Sequence, residues 1–262
     1  MALDILGIIT VAIAAVIPSI AYMIWVRNLE VCQREPYSVV ARAFLYGASY
    51  TVLLAILIET AIVALLFSGS SPFADLLWFF QYLSPEWHLV FLVCVVAPIV
   101  EEVLKATGIF LVYDYLTEVE NGIIYGVAIG LGFAATENIL YLSDALIVGV
   151  EVFIVTAIAR ALSSTLLHAS ATGVAGYGFA RYRLGRQEGV DVHWLYYLML
   201  AILMHAAFNF FAVLGVLIGE DGYFIGLLIS FLLATTVFML LRSKVRELDA
   251  ERSCPPTPPG GR

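Results

Sequence analysis

The run HLVFLVCVVAPIVEEVLKATGIFLVY, residues 88–113, is apolar for most of its length yet carries Glu101, Glu102 and Lys105 past its midpoint. It is long enough to cross a bilayer, which takes about 20 residues. A charge at the centre of a spanning helix costs about 3 kcal/mol on insertion scales. The stretch therefore reads as a membrane helix whose charges face something other than lipid.

The rest of the chain agrees. Of its 262 residues, 62% are hydrophobic and 13% charged, and the mean hydropathy is +0.96. A water-soluble domain carries about 25% charge. The apolar residues come in long runs, not in the short alternating segments of a barrel. The expected fold is all-α: a polytopic protein of the cell membrane with about seven spans. They are placed at roughly 3–26, 43–67, 87–113, 122–143, 152–180, 194–217 and 223–241.

Basic residues orient the spans. Arg27, Arg34, Arg42, Arg181, Arg183 and Arg186 fall in two connections, and Arg242, Lys244, Arg246, Arg252 and Arg262 follow the last span. The connections 68–86, 144–151 and 218–222 have no Lys or Arg. The positive-inside rule puts the N-terminus outside and the C-terminus in the cytoplasm. The connection 114–121 would then lie inside without a basic residue of its own. Residues 1–248 read as a single helical membrane domain, and 249–262 as a disordered Pro/Gly-rich tail. Stretch 72–83, PFADLLWFFQYL, is too short to span and reads as an interfacial helix.

Several classes drop out. A net charge of −8 with no basic footprint leaves no nucleic-acid partner. Cys32, Cys94 and Cys254 have neither zinc nor disulfide spacing. The first apolar run lacks a basic start and does not read as a signal peptide. Gly122, Gly126 and Gly130 recur every four residues, the mark of closely packed membrane helices. GLGFAA, 130–135, fits a dinucleotide fingerprint only by letters, because no strand precedes it.

Glu101, Glu102, Lys105, Glu137 and Arg160 all fall within spans. Facing lipid they would cost on the order of 15 kcal/mol together, as much as the whole stability of a domain. They must meet one another or a wet cavity. His168, His205 and Asn209 join them in the fifth and sixth spans. At 1.5 Å per residue, Glu101, Glu137, His168 and His205 each sit roughly 15–25 Å from a span end, near mid-membrane. Lys105 lies one turn from Glu101, and Asn209 one turn from His205, so each pair shares a face. Helix-to-helix ion pairing alone is the plainer reading, and for Arg160 the stronger one. Glu59, in the second span, has no assigned role.

Carboxylates beside imidazoles in low dielectric suit water activation. A His/Asn pair one turn apart could stabilise an oxyanion. Rival hydrolase motifs are missing, with no G-x-S-x-G elbow and no H-E-x-x-H helix.

EEVLK (101–105), NGIIYGVAIGLGFAATENILY (121–141), RALSSTLLHASATGVAGYGFA (160–180) and HAAFN (205–209) occur in that order. Together they resemble the PrsW family of membrane proteases, whose motifs run E-E-x-x-K, F-x-x-x-E-N, a lone His before small residues, and H-x-x-x-N/D. The likeness covers about residues 97–215 and marks a protease core at about 87–217. This family is similar to the CAAX prenyl protease and bacteriocin-processing superfamily, whose members usually carry His where this chain has Glu137.

The resemblance implies a glutamate-type intramembrane endopeptidase that needs no cofactor and cuts a membrane protein or peptide within lipid. An anti-sigma-factor-like substrate is implied by family alone, since the motifs specify chemistry and not the protein cleaved. By position, Glu101 or Glu102 is the water-activating base, with Glu101 the first choice. Glu137, beside Asn138 in its motif, helps hold the water or shares its proton. His205 and Asn209 form the oxyanion side, and His168 positions water or substrate. Lys105 and Arg160 balance charge.

Two alternatives stand beside this. Glu137, His168 and His205, with or without Glu101, form a credible zinc set from separate helices. Intramembrane Glu and His also serve proton-coupled transporters, or a scaffold that does no chemistry.

Overall fold

The computed structural model describes residues 3–67 and 82–251. Among these the chain is helices joined by short connections, with no strand. Helix α1 is Ile5–Arg27; α2 (Tyr37–Tyr46) runs through a π turn, Gly47–Thr51, into α3 (Val52–Phe67). Then α4 (Pro85–Phe91) passes through a second π turn, Leu92–Val96, into α5 (Ala97–Leu111). Helices α6 (Val119–Val148), α7 (Val150–Leu162), α8 (Ser164–Glu188), α9 (Trp194–Ala212), α10 (Leu214–Ile218) and α11 (Glu220–Ala250) follow.

Six helical stretches are long and apolar enough to cross a membrane: Ile5–Arg27, Tyr37–Leu66, Val119–Val148, Val150–Glu188, Trp194–Ala212 and Glu220–Ala250. The protein is an all-α polytopic membrane protein. The expected count of seven included 87–113, which is not among the six. That rod is interrupted by its π turn and carries Glu86, Glu101, Glu102 and Lys105. Apolar side chains cover the outside: Ile5, Leu6, Ile9 and Ile13 on α1 and Phe224, Leu228 and Leu232 on α11 are exposed, as lipid-facing surfaces require.

Helix α6 is the central post. From Glu120 to Ala135 every residue is buried, which the sequence, apolar all round from Gly122 onward, allows. Its glycines bring α8 into backbone contact. A Cβ on Gly130 would lie 2.1 Å from the His168 carbonyl oxygen, and one on Gly126 would lie 2.4 Å from that of Thr172. The four-residue glycine spacing thus sets the height of His168 against α6.

Three local departures from the expected spans shape the site. The connection expected at 144–151 is helical except for Gly149, where α6 ends and α7 begins. The single span expected at 152–180 is two helices, broken at Ser163 (φ −125°, ψ −73°). A serine tolerates such a break because its own hydroxyl caps the end; Ser163 Oγ donates to the Ala159 carbonyl at 2.6 Å. Pro98 accounts for the π turn before it. It has no N–H for the carbonyl four residues back, at Cys94 inside that turn.

A neighbouring side chain satisfies a carbonyl of each π turn. Asn209 Nδ2 donates to the Val93 oxygen at 2.8 Å, and Thr136 Oγ1 to the Ala48 oxygen at 2.6 Å. Helix α11 runs to Ala250, past the expected end of the last span. The tail from 252 and most of the expected interfacial helix at 72–83 lie outside the described residues. Cys94 is a free buried thiol.

Candidate active site

The polar residues singled out in the spans come together on five helices. Lys105, on α5, is fully buried and donates to Glu101 Oε2 at 2.9 Å, Glu102 Oε1 at 2.9 Å and His168 Nδ1 at 2.8 Å. An ammonium has three N–H groups and no lone pair, so all three are used and His168 Nδ1 accepts. The proton of neutral His168 then sits on Nε2, which donates to Glu137 Oε2 at 2.9 Å. That carboxylate oxygen also accepts from Arg160 at 2.6 Å. Arg160 Nε donates to Asn138 Oδ1 at 2.5 Å, and the Asn138 amide donates to Thr165 Oγ1 at 3.0 Å.

On the other side, His205 Nδ1 bonds to Glu102 Oε1 at 2.9 Å, and Thr172 Oγ1 donates to Glu102 Oε2 at 3.1 Å. A carboxylate only accepts, so His205 Nδ1 carries the proton and, in the neutral ring, Nε2 offers a lone pair. That nitrogen lies 3.9 Å from Glu101 Oε2, as does His168 Nδ1. Both gaps are too long for a direct hydrogen bond, and since His168 Nδ1 already accepts from Lys105, only the gap to His205 suits a bridging water. The two imidazoles stand edge to face, with centroids 4.9 Å apart.

One continuous network therefore runs Arg160–Glu137–His168–Lys105–Glu101/Glu102–His205. Three carboxylates face two fixed cations, Lys105 and Arg160. Phe133 closes one side, with Lys105 Nζ 3.8 Å from its ring centroid. Arg160 lies 3.8 Å over the ring of Tyr141.

A cavity of about 440 Å³ opens on this network. Glu101, Glu137, Arg160, His168 and Asn209 line it, with Glu59, Tyr141 and Ser164. Glu102, Lys105 and His205 stand behind that wall. The helix break at Ser163 puts Arg160 and Ser164 on the same wall though they belong to different helices. Sequence reading missed Thr165 and Thr172, ordinary hydroxyls whose role shows only once α8 is placed. It left Glu59 unassigned.

Glu101, Glu102, His168 and His205 each offer one ligand atom, and all four atoms lie within 4.8 Å of one another. Glu137, expected in the zinc set, is not a member of that group. It is engaged instead by Arg160 and His168. Asn209 lines the cavity, and one of its amide hydrogens is spent on Val93.

Comparisons with known proteins fit this geometry. Residues 35–241 match the family described as PrsW family intramembrane metalloprotease. The chain is 32% identical over 221 residues to Protease PrsW of Geobacillus kaustophilus (strain HTA426), covering 82% of this chain and 83% of that one. It is 29% identical over 205 residues to Protease PrsW of Clostridioides difficile (strain 630), covering 75% and 76%. No solved structure matches. The transporter and scaffold readings fall away: this chain is a membrane peptidase, and it belongs to the PrsW family of intramembrane metalloproteases.

Proposed function

We propose that this protein hydrolyses peptide bonds of membrane-associated proteins, with Glu101 activating a water in the cavity. One observation carries the choice. Glu101 is the member of the Glu pair that lines the cavity, whereas Glu102 is fully buried and already accepts from Lys105, His205 and Thr172.

In this reading a water lies between Glu101 Oε2 and the unprotonated His205 Nε2. Glu101 takes one of its protons as the water oxygen adds to the peptide carbonyl carbon. Negative charge then develops on the carbonyl oxygen. The second N–H of Asn209 and the Arg160 guanidinium, both on the cavity wall, are the donors at hand for it. Glu101 next passes its proton to the amide nitrogen, the C–N bond breaks, and a carboxyl and an amine leave. Lys105 and His168 hold Glu101 and Glu137 in register throughout.

The donor set also fits a metal ion. Two carboxylates and two imidazoles, Glu101, Glu102, His168 and His205, are zinc-type ligands. Zinc held there would polarise the carbonyl and make bound water more acidic. Lys105 donates to three of those four residues, so its ammonium must move away for the site to load.

The test compares new protein termini in membranes carrying the wild type or Glu101→Gln, with a chelated and a zinc-restored arm. Termini that need Glu101 and survive chelation support the metal-free reading. Loss on chelation with recovery on zinc addition replaces it with the metal reading. Termini unchanged in Glu101→Gln would overturn the role of Glu101 altogether.

A further inference from the structure

The catalytic network uses every acidic or basic residue on the cavity wall except Glu59. This residue stands on α3, the last of a stripe, Val52, Ala55, Ile56 and Glu59, that faces the cavity at helical spacing. Its Oε1 is buried and finds no hydrogen-bond donor among the described residues. Glu101, Glu102 and Glu137 are each matched by Lys105 or Arg160. Glu59 is an acid on the same wall with no salt-bridge partner among the described residues, and its three stripe-mates are apolar.

Water can hydrate the other oxygen of Glu59 while the cavity holds no chain. A polypeptide entering between α3 and the Glu101 wall displaces that water. An unpaired carboxylate in a dry site is costly, and a cation beside it removes the cost. We propose that Glu59 is a specificity-determining residue, and that it selects substrates with a Lys or Arg side chain at one fixed position relative to the cut. This rests on the proteolytic reading above. Glu59 touches the bound chain and not the reacting atoms, so it acts on which sequence binds. The stripe predicts the rest of the subsite: apolar side chains fit the neighbouring positions, against Val52, Ala55 and Ile56.

The experiment needs no known substrate. Purified wild type, Glu59→Gln and Glu59→Lys, in lipid vesicles, are incubated with a mixed library of apolar peptides bearing Lys, Gln or Glu at scanned positions. The cut products are then sequenced by mass spectrometry. Wild type is expected to enrich Lys over Gln at one position by on the order of tenfold, the factor of a charge-assisted hydrogen bond. Glu59→Gln is expected to lose that enrichment, with the change falling on KM more than on kcat. Glu59→Lys is expected to gain a preference for Glu at the same position, a new property that a misfolded protein cannot show. Cutting by wild type without a basic preference overturns this inference alone, and so does an enrichment that survives in Glu59→Gln. No cutting by wild type in any arm overturns the proteolytic reading and the inference with it.

Discussion

Two groups of buried carboxylates sit in this molecule, and they are built differently. The first, in the spans, joins Glu101, Glu102 and Glu137 to Lys105, Arg160 and two imidazoles around a cavity. The second lies where α1, the 28–36 segment, the start of α6 and the end of α11 meet. There Glu30, Glu35, Glu118, Glu120 and Asp249 are all buried. Asp249 accepts from the Val31 and Cys32 amides at 3.0 and 3.1 Å, and Glu30 from the Glu35 amide at 3.2 Å. Glu35 accepts from Asn121 and Tyr125.

In the second group Asp249, Glu30 and Glu35 accept from backbone amides and neutral side chains and so fasten chain segments together. The first spends its carboxylates on mobile protons and leaves Glu101 facing a cavity. Burial of charge alone does not mark a reactive site. Imidazoles within reach and room for a water do.

Changes in the two groups should accordingly separate activity from fold, and they are ordered here by size. Glu101→Gln should lower cleavage of a vesicle-embedded reporter by about 10²- to 10⁴-fold, the span of a general base, while circular dichroism keeps its helical content. Wild-type rates in that variant would return Glu101 to a packing role. Lys105→Met should strand Glu101, Glu102 and the accepting nitrogen of His168. Unfolding in denaturant should then show a loss of about 3–5 kcal/mol, the cost of breaking a buried pair. A smaller loss would mean that water already reaches the group.

Asp249→Ala should leave the Val31 and Cys32 amides without their acceptor. A loss of about 1–3 kcal/mol is expected, seen as faster hydrogen exchange at those two amides, with cleavage unchanged. A fall in cleavage as large as that of Glu101→Gln would erase the distinction between the two groups.

The smallest effect is on pH. Burial, and then the nearby Glu30, push the Glu35 carboxyl up from 4.5 to about 8. The folded state therefore favours the protonated form. The stability that this proton confers is complete below about pH 4.5 and is lost as pH rises through about 8. Thermal midpoints should drift downward over that window in the wild type, and Glu35→Gln should flatten the drift. An upward drift would contradict the placement of Glu35.

Much of the first group could be read from the chain, because a charge in an apolar run has few tolerable places to go. Glu101, Lys105, Glu137, Arg160, His168 and His205 each stood out against lipid-compatible neighbours. The glycine spacing of α6 likewise announced a close helix contact. What stayed hidden depends on distances between separate helices, which spacing does not carry. The ligand quartet takes Glu102 and not Glu137, because Arg160 folds back from α7 to claim the latter. That return needs the break at Ser163, and serine fits a continuous helix as well as a broken one. The second group was invisible for the opposite reason. Glu30 and Glu35 lie between spans, where acids are ordinarily solvated, and only the arrival of α6 and α11 buries them.

The most direct test of the central claim, that these side chains form a single reacting unit, is a double-variant comparison on one vesicle-embedded substrate. Cleavage rates are measured for Glu101→Gln, for His205→Ala and for both together. If the two act on one water, the pair should lose little more than the worse single variant. Losses that multiply, as for residues acting independently, would contradict it.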